Sequence, residues 1–487
     1  MAIIKKQRIE KLKNKASEML SRSIDQHINL AVTGLSRSGK TAFITSLVNQ
    51  LINEGNKSKL SFFDPVHQGN FIAAKRVPQK NYQVARFDYE GGITALTAKQ
   101  PHWPEPTHGI SELRLAIRYQ PKSSLLRYAT DMATLTVDIT DYPGEWLLDL
   151  PMLKQTFEQW SDVTLALLKQ APRNSYAQEF LNKIADIDPF APANEEQIAQ
   201  LSAEYTQLLH QFRHELGLSV IQPGRFILPG ELAGAPILEF FPYAGFDDID
   251  LNRYQNADDT SFIGMLRARF IEYKESVVRK FYQKHFSRFD RQIVLADCLN
   301  PLNKGEESFA DLELAISMIL ESYRYGQSGI FSRVFSPRID KLLFAATKAD
   351  HVTPEQHAPL VSLLNQLIHQ SKHHISFEAI EIKTLAIASV KATSSGFIQH
   401  QGKKVPVIQG VTQQKFEQND DAESSTNKQI TLFPGAVPEK LPTQSYWQAQ
   451  AFNFINFAPT QGLSKHECLP HVRMDQVLQF LLADKMI

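Results

Sequence analysis

Apolar positions along this chain fall into short runs and helical spacings that alternate. Ile28, Leu30, Ala31 and Val32 predict a buried strand, and Phe43, Ile44, Leu47, Val48 and Leu51 recur as one face of the helix that follows. Strand patterns return at residues 113–119, at Leu135, Val137 and Ile139, at 291–299 and at 342–346. The run "TLAIASVKAT" predicts one more strand, ending at Ala388-Ser389-Val390. Residues 176–187, 195–216 and 261–286 carry helical periodicity, whereas "RFILPGELAGAPILEFFPYAGFDD" is rich in Pro and Gly and reads as irregular or strand. "FIQHQGKKVPVIQGV" predicts a hairpin turning at Gly402, and the polar stretch 412–429 an exposed mobile loop. This succession predicts an α/β sheet flanked by helices, interrupted by a large, mainly helical insertion and followed by a C-terminal extension. The expected division is 1–27, a basic helix; 28–149 and 291–395, two parts of one α/β domain; 150–290, the insertion; and 396–487, the extension.

Composition narrows the class. The 487 residues are 43% hydrophobic and 21% charged, with Lys plus Arg equal to Asp plus Glu at 52 each. That balance gives no support to nucleic-acid binding or to an acidic disordered chain. Two cysteines, Cys298 and Cys468, are too few for a disulfide framework and point to a reducing compartment. No signal peptide and no run of about 18 apolar residues appears, so a cytoplasmic protein is expected. The first segment, "MAIIKKQRIEKLKNK", has Ile9, Leu12, Ala16, Met19 and Leu20 at helical spacing among lysines. Such a helix packs on its own domain with a solvated basic face, the plainer reading, or lies on an anionic membrane at the inner face.

The chemistry starts at Gly34-Leu-Ser36-Arg37-Ser38-Gly39-Lys40-Thr41-Ala42, a G-x-x-x-x-G-K-[ST] string between the first strand and helix. Its glycines let main-chain N–H groups turn inward around phosphate oxygens. Lys40 adds a point charge at the β- and γ-phosphates, and the Thr41 hydroxyl is a candidate Mg²⁺ ligand. This is strong evidence for a nucleotide phosphate and says nothing about the base.

Two further strings fit the same site. "DYPG" follows the strand ending near Ile139. Asp141 is positioned for the Mg²⁺ site, and Gly144, without a Cβ, can bring its N–H to a γ-phosphate. Thr107, ahead of the strand at 113–119, is a candidate for reporting Mg²⁺ and γ-phosphate, with Thr94 and Thr97 as rivals. Further on come Thr347-Lys348-Ala349-Asp350 and Ala388-Ser389-Val390. A carboxylate at Asp350 accepts from guanine N1–H and the 2-amino group, the Lys348 stem covers the ring, and a main-chain N–H of the Ala-Ser segment meets guanine O6. Adenine mismatches both edges.

The ordered set GLSRSGKT, PTHG, DYPG, TKAD and ASV resembles a Ras-type GTPase. With "DYPGEWL", "LADCLNPLN", "TKADHV" and "LPHVRMDQVLQFLLADKMI", the chain resembles the YcjX-like family of bacterial P-loop proteins over nearly its whole length. The resemblance implies GTP and GDP binding with Mg²⁺, GTP hydrolysis that is slow without a partner, and a stress-related switch acting through an unknown protein effector. It further implies gene sets that encode an inner-membrane protein. Three residues depart from the Ras pattern. Thr347 stands where Asn is usual. Glu145 replaces the Gln that orients the attacking water, and either orients that water or opposes the γ-phosphate. Arg37 fills a usually small position, where it either supplies charge in cis or faces solvent. An ATP-using phosphotransferase or ATPase, and a nucleotide-binding scaffold without turnover, are the alternative functions.

Overall fold

The computed structural model describes residues 26–35, 37–55, 59–106, 109–122, 131–323, 339–372, 380–413, 428–449 and 452–486. The predicted basic helix and most of the predicted loop at 412–429 lie outside them. The main sheet contains β1 (Gln26–Gly34), β2 (Phe71–Val77), β3 (Ala85–Arg86), β4 (Ser111–Tyr119), β5 (Ala133–Asp141), β6 (Arg291–Ala296), β7 (Lys341–Ala346) and β8 (Glu381–Ala386). Their order is β2-β4-β5-β1-β6-β7-β8, with β3 against β4. β5, β1, β6, β7 and β8 run parallel, and β4 is antiparallel to both β5 and β2. Every residue of β6 is buried, as expected of a central parallel strand covered on both faces.

Helices cover each face. On one side α1 (Lys40–Ile52), α2 (Tyr89–Thr97) and, from the far end of the chain, a helix at Met474–Leu482 share a core with alternate sheet residues. The terminal helix is tied down by Arg291 at the start of β6. Its fully buried guanidinium bonds the Leu481 carbonyl and pairs with Asp484 and Asp340. On the other side lie the helices Glu306–Ser322 and His357–Lys372, and their core continues without a break into the insertion. In chain order after α2, the insertion contains α3 (Phe157–Leu168), α4 (Asn174–Ala185), α5 (Glu195–Gln211) and α6 (Phe262–Glu272). Its centre is aromatic: Trp160 packs on Phe240 and Phe270 with centroids 5.4 and 5.3 Å apart, and Phe240 meets Phe226 at 4.9 Å.

Several boundaries differ from the sequence expectation. The strand expected over 291–299 stops at Ala296, because Asp297 Oδ1 accepts from the N–H groups of Leu299 and Asn300 and starts a helix there. The helix expected over 195–216 passes from α5 into a π-helical turn, Phe212–Leu216, closed by Gly217 at φ 68°. Likewise α6 runs on through a π-helical stretch, Tyr273–Val278. The Pro- and Gly-rich stretch forms short helical turns at Gly224–Ile227, Gly230–Leu232, Pro236–Leu238 and Phe246–Asp248, and no strand. The hairpin is β9 (Thr393–His400) and β10 (Lys403–Val411), turning at Gln401 and Gly402 with φ 49° and 76°. A third strand, β11 (Gln429–Leu432), pairs with β10 and begins where a loop was expected to end.

Asp149 fastens the start of the insertion to its middle. It accepts from Gly224 N at 2.8 Å and from the Tyr273 hydroxyl at 2.6 Å. Burial pushes its carboxyl up to about 7. The folded group therefore holds its proton where the unfolded one, near pH 4, has lost it. That contribution to stability is full below about pH 4 and is lost as pH rises through about 7. Asp149→Asn carries no charge at any pH. Its melting temperature relative to the parent should move upward as pH rises from about 5 to 8.

Candidate functional site

The site lies at the C-terminal ends of the parallel strands, where α/β sheets bind ligands. β1 ends at Gly34, the next residues form the loop, and α1 starts at Lys40. Gly39, at φ 79°, is left-handed and caps the helix, and Arg37, at φ 61°, is left-handed although it is not glycine. Main-chain N–H groups that follow one another through such conformations form an anion-binding concavity at a helix N-terminus.

A cleft of about 610 Å³ opens above this loop. Among the predicted residues, Arg37, Ser38, Gly39, Lys40, Thr41, Ala42, Glu145, Thr347, Lys348, Asp350, Ala388, Ser389 and Val390 line it. Gly34, Asp141 and Gly144 stand behind the loop. Asp141 is buried at the end of β5, in register with Val32 of β1. A Cβ on Gly144 would come within 2.3 Å of the Gly34 carbonyl oxygen, so only glycine fits. Gly144→Ala must displace this strand-to-loop backbone. It should lower stability by about 1–3 kcal/mol and weaken a GTP analogue more than GDP, as read by melting and by titration. Ser36 and Thr107 lie outside the described residues. The rivals Thr94 and Thr97 are in α2, where the Thr97 hydroxyl is committed to the Ile93 carbonyl at 2.7 Å.

At the other end of the cleft, β7 delivers Thr347 and Asp350. Lys348 adopts φ 59° and reaches Asp297 with its ammonium at 2.7 Å. Asp350 is buried. Its Oδ2 accepts from Ala392 N at 2.6 Å and Thr393 N at 3.2 Å, while Oδ1 lies 3.9 Å from His351 Nε2. Ala388 N–H is engaged by the Val472 carbonyl at 3.2 Å. The segment's N–H groups open to a ligand are therefore those of Ser389 and Val390. Ser46 of α1 donates to the Ser389 carbonyl at 2.5 Å, fixing this segment over the phosphate-loop helix.

Sequence reasoning missed several lining residues: Trp103, Arg213, His351, Gln413, Asn456 and Phe457. Trp103 Nε1 donates to the Phe457 carbonyl at 2.8 Å, and Gln413 N to that of Asn456 at 2.9 Å. The C-terminal extension thus closes the Asp350 end of the cleft. His351 sits against Phe454 and Phe457, and burial lowers its proton affinity. No spacing rule links positions so far apart in the chain. The signal available was the aromatic character of Trp103 beside the PTHG string.

The profile of the YcjX-like family (DUF463) matches residues 28–486. The chain belongs to the YcjX-like family. A "Ras-like GTPase YcjX" from Escherichia coli (strain K12) is 46% identical over 478 residues, covering 98% of this chain and 100% of that protein. A second "Ras-like GTPase YcjX", from Shewanella oneidensis, is 42% identical over 492 residues, covering 98% of each. The mixed sheet, in which the phosphate-loop strand has parallel neighbours on both sides and β4 runs antiparallel beside β5, is that of a Ras-like P-loop domain, with the helical insertion between β5 and β6. Among the described residues no helix is long and apolar enough to cross a membrane, and no cluster of three or more His, Cys, Asp or Glu is arranged to hold a metal.

Proposed function

We propose that this YcjX-like chain binds GTP with Mg²⁺, hydrolyses it to GDP and phosphate, and works as a molecular switch. The observation that carries the reading is the single cleft. It has an anion cradle with Lys40 at one end and, at the other, Asp350 with one carboxylate oxygen locked by two main-chain donors. Such a carboxylate presents its second oxygen as an acceptor to guanine N1–H and the 2-amino group. Adenine offers an acceptor at N1 and leaves the carboxylate unpaired, at a cost of about 1–3 kcal/mol or more for a charged group. The GTPase names of both relatives support the same reading.

The residues present fit Mg²⁺. The Thr41 hydroxyl and the Asp141 carboxylate are hard oxygen donors, and Mg²⁺ on a nucleotide takes few protein ligands because phosphates and waters supply the rest. When bound, the ion neutralises charge on the β- and γ-phosphate oxygens. In the structure the Thr41 hydroxyl donates to the Glu105 carbonyl at 3.1 Å, two residues before Thr107. Glu105 and the cleft-lining Pro106 are thereby held at the Thr41 end of the cleft, which supports Thr107, the next residue in the chain, as the third member of the set.

The insertion is the effector arm in this reading. It begins a few residues after Gly144, and Glu145 to Asp149 between them are the first residues that a lost γ-phosphate would release. The stress-related role, the protein effector and a contact at the inner face of the membrane rest on the family association and on the basic N-terminal segment. Titration of GTP and ATP in the presence of Mg²⁺ tests the reading. Tight GTP and negligible ATP binding is expected, and the reverse would place the chain with the ATP-using proteins. Hydrogen exchange at residues 143–153 and across the insertion should differ between GDP and GTP-analogue forms. Identical exchange would make the chain a scaffold.

A further inference from the structure

The helical insertion reaches back to the nucleotide cleft at one place, the π-helical turn Phe212–Leu216. Three contacts fix it there. Arg37 of the phosphate loop donates to the His214 carbonyl at 2.8 Å. Lys304, after β6, donates to the Glu215 carbonyl at 2.8 Å. Arg213 pairs with Glu145, the residue after Gly144, at 3.0 Å. The pair is largely buried, with side chains 16% and 3% exposed, and both residues line the same cleft as Lys40 and Arg37. Gly217 closes the turn with Lys304 against it, so an added Cβ would meet the Lys304 chain at 2.9 Å.

A π-helical turn is rare and is frequently found at functional sites. This turn aims a guanidinium, held by a carboxylate, at the phosphate end of the cleft. We propose that Arg213 is a catalytic arginine supplied in cis by the insertion, and that Glu145 is its positioning residue rather than the group that orients water. The inference rests on the GTPase reading. In the reaction, a water oxygen bonds to the γ-phosphorus as the bond from that phosphorus to the β–γ bridging oxygen breaks. GDP leaves with that electron pair, and both water protons end on dihydrogen phosphate. Charge grows on the equatorial and bridging oxygens, where a planar, two-pronged cation is most effective. Glu145 pre-orients that cation before nucleotide arrives. With nucleotide bound, Arg213 lies between the buried carboxylate and the γ-phosphate and offsets their repulsion. The hold of Arg37 on the His214 carbonyl makes the phosphate loop a support for the arginine. It also gives Arg37 a role beyond the two that the sequence left open.

The test is single-turnover GTP hydrolysis by the full chain with GTP and GDP affinities measured alongside. Arg213→Ala should lower the rate about 10³-fold or more, in the range of an arginine finger, while GDP affinity changes by less than about three-fold. Arg213→Lys should recover little, since an ammonium lacks the fork, and free guanidinium should restore part of the Arg213→Ala rate. GDP with aluminium fluoride, which mimics the transferring phosphoryl group, should be captured by the parent chain and not by either variant. That readout holds even where parent turnover is slow. The inference is overturned by a rate in Arg213→Ala within about two-fold of the parent, by a faster rate, which would make the pair a restraint, or by equal fluoroaluminate capture. Failure of the parent to bind GTP at all would instead sink the functional reading itself.

Discussion

Asp350→Asn is expected to turn a guanine site into a xanthine site. The argument lies in how the carboxylate is held. Oδ2 accepts from Ala392 N and Thr393 N, so an amide in its place must put its oxygen there. The amide nitrogen then takes the position of Oδ1 and faces the base with donors. Guanine presents N1–H and an amino group to that edge, so two hydrogen bonds to a charged group, each worth about 1.5–3 kcal/mol, become donor–donor contacts. GTP affinity should fall roughly 10²- to 10⁴-fold. Xanthine carries a carbonyl in place of the 2-amino group and accepts from the new amide, so xanthosine triphosphate should bind the variant better than GTP does. Competition of both nucleotides against a fluorescent GDP measures the ratio in parent and variant. An unchanged preference for GTP would remove Asp350 from base recognition. Equal weakening of all nucleotides would mean that the substitution had unseated Ala392 and Thr393 instead.

The phosphate end was legible in the sequence because its chemistry is local. Gly34 through Thr41 is one contiguous string, and its strand and helix are set by the apolar positions on either side. That Asp350 and the Ser389 segment share the far end of the cleft was legible because both follow strands whose buried runs identify them. The walls were not legible. Trp103, in the loop after α2, bonds Phe457 across 354 residues, and Gln413 bonds Asn456 within the C-terminal extension; none has a spacing signature. Arg213 was hidden differently. It lies in a stretch with continuous helical periodicity, and nothing in that periodicity marks a change from α to π. The terminal helix is a third case. Its apolar face was visible, but its partner, the buried Arg291 at the start of β6, is identified by Asp484 and Leu481 only once the chain is folded.

These cases share a physical cause. Sequence pattern reports which surface an element must bury, whereas a site also depends on which elements share that surface. The insertion here has a core continuous with one face of the sheet, so it packs as part of the nucleotide-binding body and not as an appendage. Its place at the cleft follows from that packing: the turn after α5 holds Arg213 in the cleft wall while Tyr205, Leu208 and Phe212 are anchored in the shared core.

Lys40→Ala should move ligand binding and the stability of the empty protein in opposite directions. Lys40 is the first residue of α1, whose first turn contains no acidic side chain. A cation at a helix N-terminus faces the positive end of the helix dipole, an unfavourable placement of about 0.3–1 kcal/mol. Among the described residues no carboxylate is paired with it, so none of these offsets this cost. A phosphate in the cradle does. Removing the ammonium should therefore raise the melting temperature of the nucleotide-free chain slightly and cost about 2–5 kcal/mol of GDP and GTP binding, as for truncation of one member of a close charge pair. That corresponds to a loss of roughly 30- to several-thousand-fold. Thr41→Ala provides the contrast. In the proposed site its hydroxyl acts through the metal, so its defect should be small at high Mg²⁺ and grow as Mg²⁺ falls, while the defect of Lys40→Ala should be present at every Mg²⁺ concentration. Calorimetric titration of GDP across a Mg²⁺ series, with melting of the empty proteins alongside, separates the two. Parallel, metal-independent losses in both variants would show that Thr41 acts on the phosphates directly. A destabilised empty Lys40→Ala would show that the ammonium has a partner within the protein.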